Sequence, residues 1–258
     1  MNTINECADV IEQAVRERSA IGRLTERFPD LTLEDGYAIQ DEVTRRRLSR
    51  GEKIVGAKLG LTSKAKQVQM KVYEPLYGRL FSGGVHLSGE PVKVDSLIHP
   101  RVEPEIVFIM DKCLAGPGVT PGDVVAAIRY VCCGLEVIDS RYADFSFTAA
   151  DVVADNTSEA KVVYGPVFRS PDSLDLALTG LLLETDGDIV ATATGAATMG
   201  HPAEAVALLA NWLGQRGRTI EAGWAIFTGG LTAAVPLKPG GYVSASFGHL
   251  GTVTVRGV

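Results

Sequence analysis

Long uninterrupted hydrophobic runs are missing from this chain of 258 residues. Glycine and charged residues cut every apolar stretch short of the ~18–20 residues that a membrane-spanning helix needs, so no bilayer crossing is expected. The opening residues, Met1-Asn2-Thr3-Ile4-Asn5-Glu6, lack the basic region and apolar block of a secretory leader. A cytoplasmic location is the expectation. An excess of positive charge is missing too. A formal net charge of −6 argues against nucleic acid or an anionic membrane as the main partner. The four cysteines, Cys7, Cys113, Cys132 and Cys133, show no paired metal-ligand spacing. Cys132 and Cys133 are neighbours and poorly placed to bridge each other, so buried free thiols in a reducing compartment are expected. There is no internal repeat and no low-complexity linker.

What remains is enough for one large domain or a core with a small appendage. Hydrophobic residues make up 46% of the chain. Ile4, Ala8, Ile11 and Val15 recur at helical spacing and predict one apolar helix face. Phe28-Pro29-Asp30 breaks the chain, and Thr32 with Asp35 forms a capping-box signal for a second helix running to about Ser49. Gly51 stops it. Residues 1–52 therefore read as a small helical cap, and residues 53–258 as the main domain. In the main domain, strands are expected at Lys53–Leu61, Val85–Leu87, Val92–Val94, Val102–Met110, around Glu136, and at Val162–Gly165. Lys64–Met70 predicts a short helix, and Tyr73–Gly78 a turn or loop. Thr120 and Pro121 open a helix through Val124, Ala127, Ile128 and Val131. Asp186-Gly187 is a hairpin signal between Leu174–Thr185 and Ile189–Thr194. A helix follows Gly200-His201-Pro202. Strands at Ala225–Gly230, Val243–Phe247 and Gly251–Val255 close the chain. Many short strands and few helices predict an α+β fold built on one large curved mixed sheet.

The stretch Pro100-Arg101-Val102-Glu103-Pro104-Glu105-Ile106 carries the chemistry. Alternate side chains of a strand share a face, so Glu103 and Glu105 point the same way. Adjacent carboxylates repel unless a proton or cation lies between them. Two readings stand: a solvent-facing edge strand marked by Pro104, or a cation site. A third acid, Glu136, inside the apolar run Cys132–Ile138, favours the site. Carboxylates without cysteine or histidine suit Mg²⁺, Mn²⁺ or Ca²⁺ rather than zinc. Lys58, between Ala57 and Leu59, is out of place in a strand. It either snorkels to the surface, pairs with a substrate carboxylate, or handles protons. Asp155-Asn156-Thr157-Ser158 reads as a capped turn or as a holder for a carboxylate. Gly229-Gly230 reads as a plain turn or as a place where backbone approaches a ligand. His201 is expected to be a structural cap or a packing residue rather than a base. Arg141 either pairs with Asp139 or points at the site.

These pieces together resemble the fumarylacetoacetate hydrolase superfamily, in its hydratase/decarboxylase branch of meta-cleavage pathways for aromatic compounds. The resemblance rests on Gly56–Ser63, Pro100–Ile106, Leu135–Arg141, Ala154–Ser158, Gly200-His201-Pro202 and Thr228-Gly229-Gly230, in family order from about residue 53 onward; the leading helices also fit. It implies a mixed β-sheet roll with an N-terminal helical part. It implies that Glu103, Glu105 and Glu136 hold Mg²⁺ or Mn²⁺, that Lys58 is the active-site lysine, and that Ser158 lies near the bound carboxylate. Leu76, Thr232 and Arg141 are the further substrate-side positions.

Thr157 and Leu59 depart from the family's usual Ala and Met or Val. Two sister activities share these acids: decarboxylation of 2-oxohex-3-enedioate and hydration of 2-hydroxypenta-2,4-dienoate. The stretches Leu76–Gly78, Val137–Tyr142 and Gly229–Pro236 resemble the decarboxylases, since hydratases carry an acid where Leu76 stands. More distant alternatives are hydrolytic cleavage of an acylpyruvate and a non-catalytic metal-binding scaffold. The implied partners are a small 2-oxo dicarboxylate, a hydratase of the same pathway, and further copies of the chain.

Overall fold

The computed structural model describes residues 3–62, 67 and 75–258. The helix expected over Lys64–Met70 lies outside the described residues except at Gln67, and Tyr73-Glu74 lie outside them as well. No helix among the described residues is long and apolar enough to cross a membrane.

Three helices come first: α1 (Thr3–Glu17), α2 (Leu24–Arg27) and α3 (Leu33–Ser49). The buried face of α1 is Cys7, Ala8, Ile11 and Ala14, and Val15 is exposed. The buried stripe thus keeps Ala8 and Ile11 of the expected face, takes in Cys7 and Ala14, and leaves Val15 out. Thr32 caps α3 as its sequence predicts: its hydroxyl accepts from the Asp35 amide, and the Asp35 carboxylate accepts from the Thr32 amide. These hydrogen bonds hold the Asp35 carboxyl below its usual range. Gly51 follows with φ +92°, a backbone that side chains resist.

The remaining elements are β1 (Ile54–Gly60), β2 (Leu76–Phe81), β3 (Val85–Leu87), β4 (Pro91–Val92), β5 (Arg101–Met110), α4 (Pro121–Ala127), β6 (Ile128–Ile138), α5 (Ala149–Ala154), β7 (Glu159–Tyr164), β8 (Gly180–Thr185), β9 (Asp188–Thr194), α6 (Pro202–Gly214), β10 (Ala225–Phe227), β11 (Val235–Pro236), β12 (Tyr242–Phe247) and β13 (Gly251–Gly257). They form two sheets where one was expected. An eight-stranded sheet runs β2-β1-β10-β5-β6-β7-β3 with β11 beside β5, and a five-stranded sheet runs β4-β13-β12-β8-β9. Most neighbours are antiparallel, while β1–β10, β3–β7 and β4–β13 are parallel. The fold is α+β with mixed sheets. One apolar core is shared by both sheets together with α4 and α6.

Three local expectations change. Leu76-Tyr77-Gly78 is strand rather than turn, because it pairs with Lys58–Gly60. The helix opened by Thr120 stops at Ala127; Ile128 and Val131 belong to β6, where this β-branched and aromatic run finds its partner in β5. The strand expected from Leu174 begins only at Gly180. Cys7, Cys132 and Cys133 are buried free thiols as expected, but Cys113 is exposed.

A second, smaller core joins the N-terminal helices to the chain that leaves β6: Cys7, Ala8, Ile11, Leu24 and Ile39 pack with Tyr142 and Ala154. The Asp151 carboxylate accepts from the Thr25 amide and hydroxyl, and the Tyr142 hydroxyl donates to the Asp151 carbonyl. The N-terminal helices thereby brace the segment 142–158.

Candidate active site

The register of β5 against β6 builds the site. Glu103 stands directly opposite Glu136, and Glu105 opposite Gly134. Facing and diagonal side chains on one face of such a pair are in reach of each other, and the three carboxylates each bring an oxygen within 4.8 Å of the others. β5 is not an edge strand, since β10 and β6 flank it. Pro104 is tolerated there because the ladder on that side is interrupted between β10 and β11. Its carbonyl accepts from the Leu231 amide at that gap, so its missing N–H costs no pairing with β6.

Glu105 and Glu136 are fully buried. One Glu105 oxygen accepts from the Gly229 amide at 2.6 Å. The other Glu105 oxygen and Glu136 Oε2 have no hydrogen-bond donor among the described residues, and Glu136 Oε1 faces the Lys58 ammonium at 3.0 Å. Burial, reinforced by Glu136 and Glu103, pushes the Glu105 carboxyl well above its usual range. Burial pushes Glu136 up to about 7, although Lys58 pulls it down. Buried carboxylate oxygens left without donors are what a hard divalent cation neutralises. The donor set therefore fits Mg²⁺ or Mn²⁺.

Lys58 does not snorkel. It is buried on β1, its ammonium 3.0 Å from Glu136 Oε1 and donating to the Thr157 carbonyl at 2.9 Å. That carbonyl belongs to a short turn, Asn156–Ser158, in which all three residues have left-handed φ, between 50° and 61°. Such a run is costly. The Asn156 side chain locks it by exchanging two 2.8 Å hydrogen bonds with the Arg79 backbone of β2. Gly78 makes room for the turn, since a Cβ there would collide with the Thr157 hydroxyl and the Asn156 carbonyl.

Gly229-Gly230 brings backbone close to the acids themselves. A Cβ at Gly230 would sit 2.6 Å from Glu103 Oε2, and one at Gly229 would overlap Thr62. The close approach expected toward a ligand is thus an approach to the carboxylates.

A cavity of about 270 Å³ opens beside this cluster. Lys58, Glu103 and Ser158 line it, with Leu76, Ile138, Phe145, Phe147 and Val152 as its apolar wall and Arg101 and Ala234 at its edge. Lys58, Glu103, Leu76 and Ser158 are therefore brought together, with Glu105 and Glu136 behind them. The Ser158 hydroxyl lies 3.4 Å from Asp155 Oδ2.

Two expected substrate-side residues are placed elsewhere. Arg141 is buried against Asp155, donates to the Asp155 and Glu159 carbonyls, and lines a separate cavity under the N-terminal helices. It does not pair with Asp139, whose carboxylate accepts from the Ile98 and His99 amides. Burial drives the Asp155 carboxyl up to about 6 against the pull of Arg141. Thr232 does not line the active cavity, and its hydroxyl donates to the Ala233 carbonyl. His201 caps α6 through Nδ1, which accepts from the Ala203 amide at 3.1 Å. Phe145, Phe147, Val152 and Ile138 carried no signal in the sequence, since apolar residues in loops and short helices do not announce which cavity they face. Arg101 did carry one: it lies on the same strand face as Glu103 and Glu105.

The raised carboxyls have a measurable consequence. Glu136 ionises near 4.5 in ordinary surroundings and near 7 here. Between those values the folded protein keeps a proton that the unfolded chain has lost, so raising the pH across this window weakens the metal-free fold. Glu105 and Asp155 act in the same direction. His86, held below its usual range mainly by burial, opposes them as one partly buried group. The melting temperature of metal-free protein is expected to fall from pH 4.5 to 7, with Glu136 alone contributing roughly 2–3 kcal/mol. Added Mg²⁺ restores it most strongly above pH 7. A flat or rising profile without metal would contradict the burial of ionisable carboxyls.

No family model matches the chain. The 4-oxalocrotonate decarboxylase of Pseudomonas putida is 43% identical over 249 residues, covering 96% of this chain and 94% of that protein. A 2-hydroxypent-2,4-dienoate hydratase of Pseudomonas putida is also 43% identical, over 83% of this chain and 97% of that protein. The solved structure of 4-oxalocrotonate decarboxylase from Pseudomonas putida G7, complexed with magnesium and adipate, superimposes with a TM-score of 0.96 at 44% identity, covering 99% of this chain and 97% of that one. Fumarylpyruvate hydrolase from Pseudomonas aeruginosa shares the fold, with a TM-score of 0.62 at 16% identity over 78% of this chain and 88% of that one. With this fold, this carboxylate triad and these relatives, the chain is an enzyme and belongs to the hydratase/decarboxylase branch of the fumarylacetoacetate hydrolase superfamily.

Proposed function

We propose that the protein decarboxylates 2-oxohex-3-enedioate (4-oxalocrotonate) to 2-hydroxypenta-2,4-dienoate and CO₂ in meta-cleavage degradation of aromatic compounds. It does so as a Mg²⁺- or Mn²⁺-dependent carbon–carbon lyase. The observation that carries this reading is the cavity in which Glu103 and Lys58, backed by Glu105 and Glu136, face an apolar wall headed by Leu76. The names of the relatives above support the same choice. Glu103, Glu105 and Glu136 would hold the cation, which supplies Lewis-acid stabilisation to the negative charge that develops on the 2-oxo oxygen.

The chain's own residues do the rest. The bond between C5 and the C6 carboxylate breaks. Its electron pair moves through the C3–C4 double bond to the 2-oxo oxygen, and CO₂ leaves. Lys58 delivers the proton that completes the enol product, or holds the substrate carboxylate while solvent does so. Ser158 supports the substrate carboxylate at the inner end. Leu76 and the phenylalanines keep water from the diene, the step that would otherwise give the hydrated product. Residues 1–52 serve as a helical cap on the 53–258 catalytic domain, bracing the segment that carries Phe145, Phe147 and Ser158.

Given Mg²⁺ and 2-oxohex-3-enedioate, the purified chain is expected to release CO₂ with no other protein present. Hydration of 2-hydroxypenta-2,4-dienoate without CO₂ release would assign the hydratase activity instead. Silence on both substrates would leave a metal-binding scaffold. A complex with the hydratase of the same pathway belongs to this proposal, and co-purification of the two chains tests it.

A further inference from the structure

Arg101, Glu103 and Glu105 occupy alternate positions of β5 and share one face. Their exposure falls step by step: Arg101 is exposed, Glu103 half-buried and Glu105 fully buried. The strand is therefore a ramp from the mouth of the cavity to the metal-binding end. Each two-residue step is about 6.7 Å, and an extended six-carbon diacid spans a similar distance between its carboxylates.

Arg101 sits over the Phe145 ring, with its guanidinium carbon 4.5 Å from the ring centre. Phe145 in turn lies against His99, with ring centres 4.7 Å apart. Phe145 and its neighbour Asp144 both have left-handed φ, 53° and 56°. This costly backbone brings the ring to the cavity wall. The ring holds the guanidinium beside the cavity that Arg101 helps to line. Among the described residues the Arg101 guanidinium makes no ion pair or hydrogen bond. A planar fork of donors held on an aromatic face at a cavity mouth suits a carboxylate.

From this arrangement we infer that Arg101 is the specificity-determining residue that receives the far carboxylate of a diacid, one strand step from the carboxylate triad. The inference rests on the 2-oxo diacid reading above and deepens it. A consequence follows for the chemistry. The far carboxylate leaves as CO₂, so the contact with Arg101 is no stronger in the transition state than in the bound substrate, and it adds binding without lowering the barrier. Arg101 therefore governs capture and discrimination rather than the rate of bond cleavage.

The test compares adipate with hexanoate, two six-carbon acids that differ in the second carboxylate. Each is titrated calorimetrically into Mg²⁺-loaded protein. The wild-type chain is expected to prefer adipate by roughly 10- to 100-fold. Arg101→Gln removes the preference while hexanoate binding stays unchanged, and Arg101→Lys recovers part of it. With 2-oxohex-3-enedioate as substrate, Arg101→Gln raises KM by a similar factor and changes kcat little. Inhibition by 2-hydroxypenta-2,4-dienoate, which lacks the far carboxylate, stays the same. Equal binding of the two acids by the wild type would overturn the inference, as would a preference that survives Arg101→Gln or a parallel loss of hexanoate binding. Because the titrations involve no turnover, they stand even if the chain proves to be a hydratase.

Discussion

Glu105→Gln is expected to abolish Mg²⁺-dependent CO₂ release while leaving the fold intact and more heat-stable without metal. Residues that only support a metal ligand alter affinity by about 10- to 100-fold when changed, so loss of a proposed ligand should exceed the upper end of that range. The gain in stability has a separate cause. Glu105 is fully buried beside Glu136 and Glu103, and its ionised form is disfavoured first by burial and then by those two charges. Glutamine keeps the shape, and its carbonyl can still accept from the Gly229 amide that holds Glu105 now. A buried charge disappears and no buried donor is orphaned. Calorimetric titration with Mg²⁺, thermal melts at pH 8 with and without the metal, and a CO₂ assay read all three effects. Unchanged Mg²⁺ affinity with full turnover would remove Glu105 from the site.

Lys58→Met is expected to lose turnover by roughly 10²- to 10⁴-fold, the usual range for a residue that moves protons in a transition state, yet to bind Mg²⁺ more tightly. The ammonium lies 3.0 Å from Glu136 Oε1 and competes with any cation for that carboxylate. Methionine fills the same channel between Gly78 and the Asn156–Ser158 turn without the charge. Removing one partner of a buried ion pair often costs about 3–5 kcal/mol. Here the loss is limited, because Glu136, already at about 7 with Lys58 beside it, moves higher still and takes up a proton. Destabilisation of the metal-free variant should therefore grow as the pH rises above 7, and saturating Mg²⁺ should cancel it. Weaker Mg²⁺ binding in Lys58→Met would mean that the lysine organises the ligands and does not act on substrate.

Much of this was legible from residue order, for reasons that are local. Alternation along Arg101–Ile109 places Glu103 and Glu105 on one face whatever surrounds the strand. Thr32 with Asp35, Thr120 with Pro121, and Asp186-Gly187 mark a capping box, a helix start and a hairpin turn, because the atoms involved lie within a few residues of each other. The oddity of Lys58 and Glu136 inside apolar strands also needed no structure, since burying a charge is costly unless something compensates it.

Register and packing were not legible. That Glu136, rather than a neighbour, faces Glu103 depends on how β6 slides against β5, and a slip of one residue would turn the acid to the opposite face. That Arg141 turns away to Asp155, that Thr232 stays outside the cavity, and that Phe145 and Arg101 meet at its mouth depend on chain brought together from distant parts of the sequence. The sequence by itself determined the chemical inventory: three carboxylates, a lysine and the alternation that aligns two of the acids. Tertiary structure alone decided which of the remaining polar residues join them, because side-chain partners across strands and loops are set by register and close packing, which no local pattern encodes.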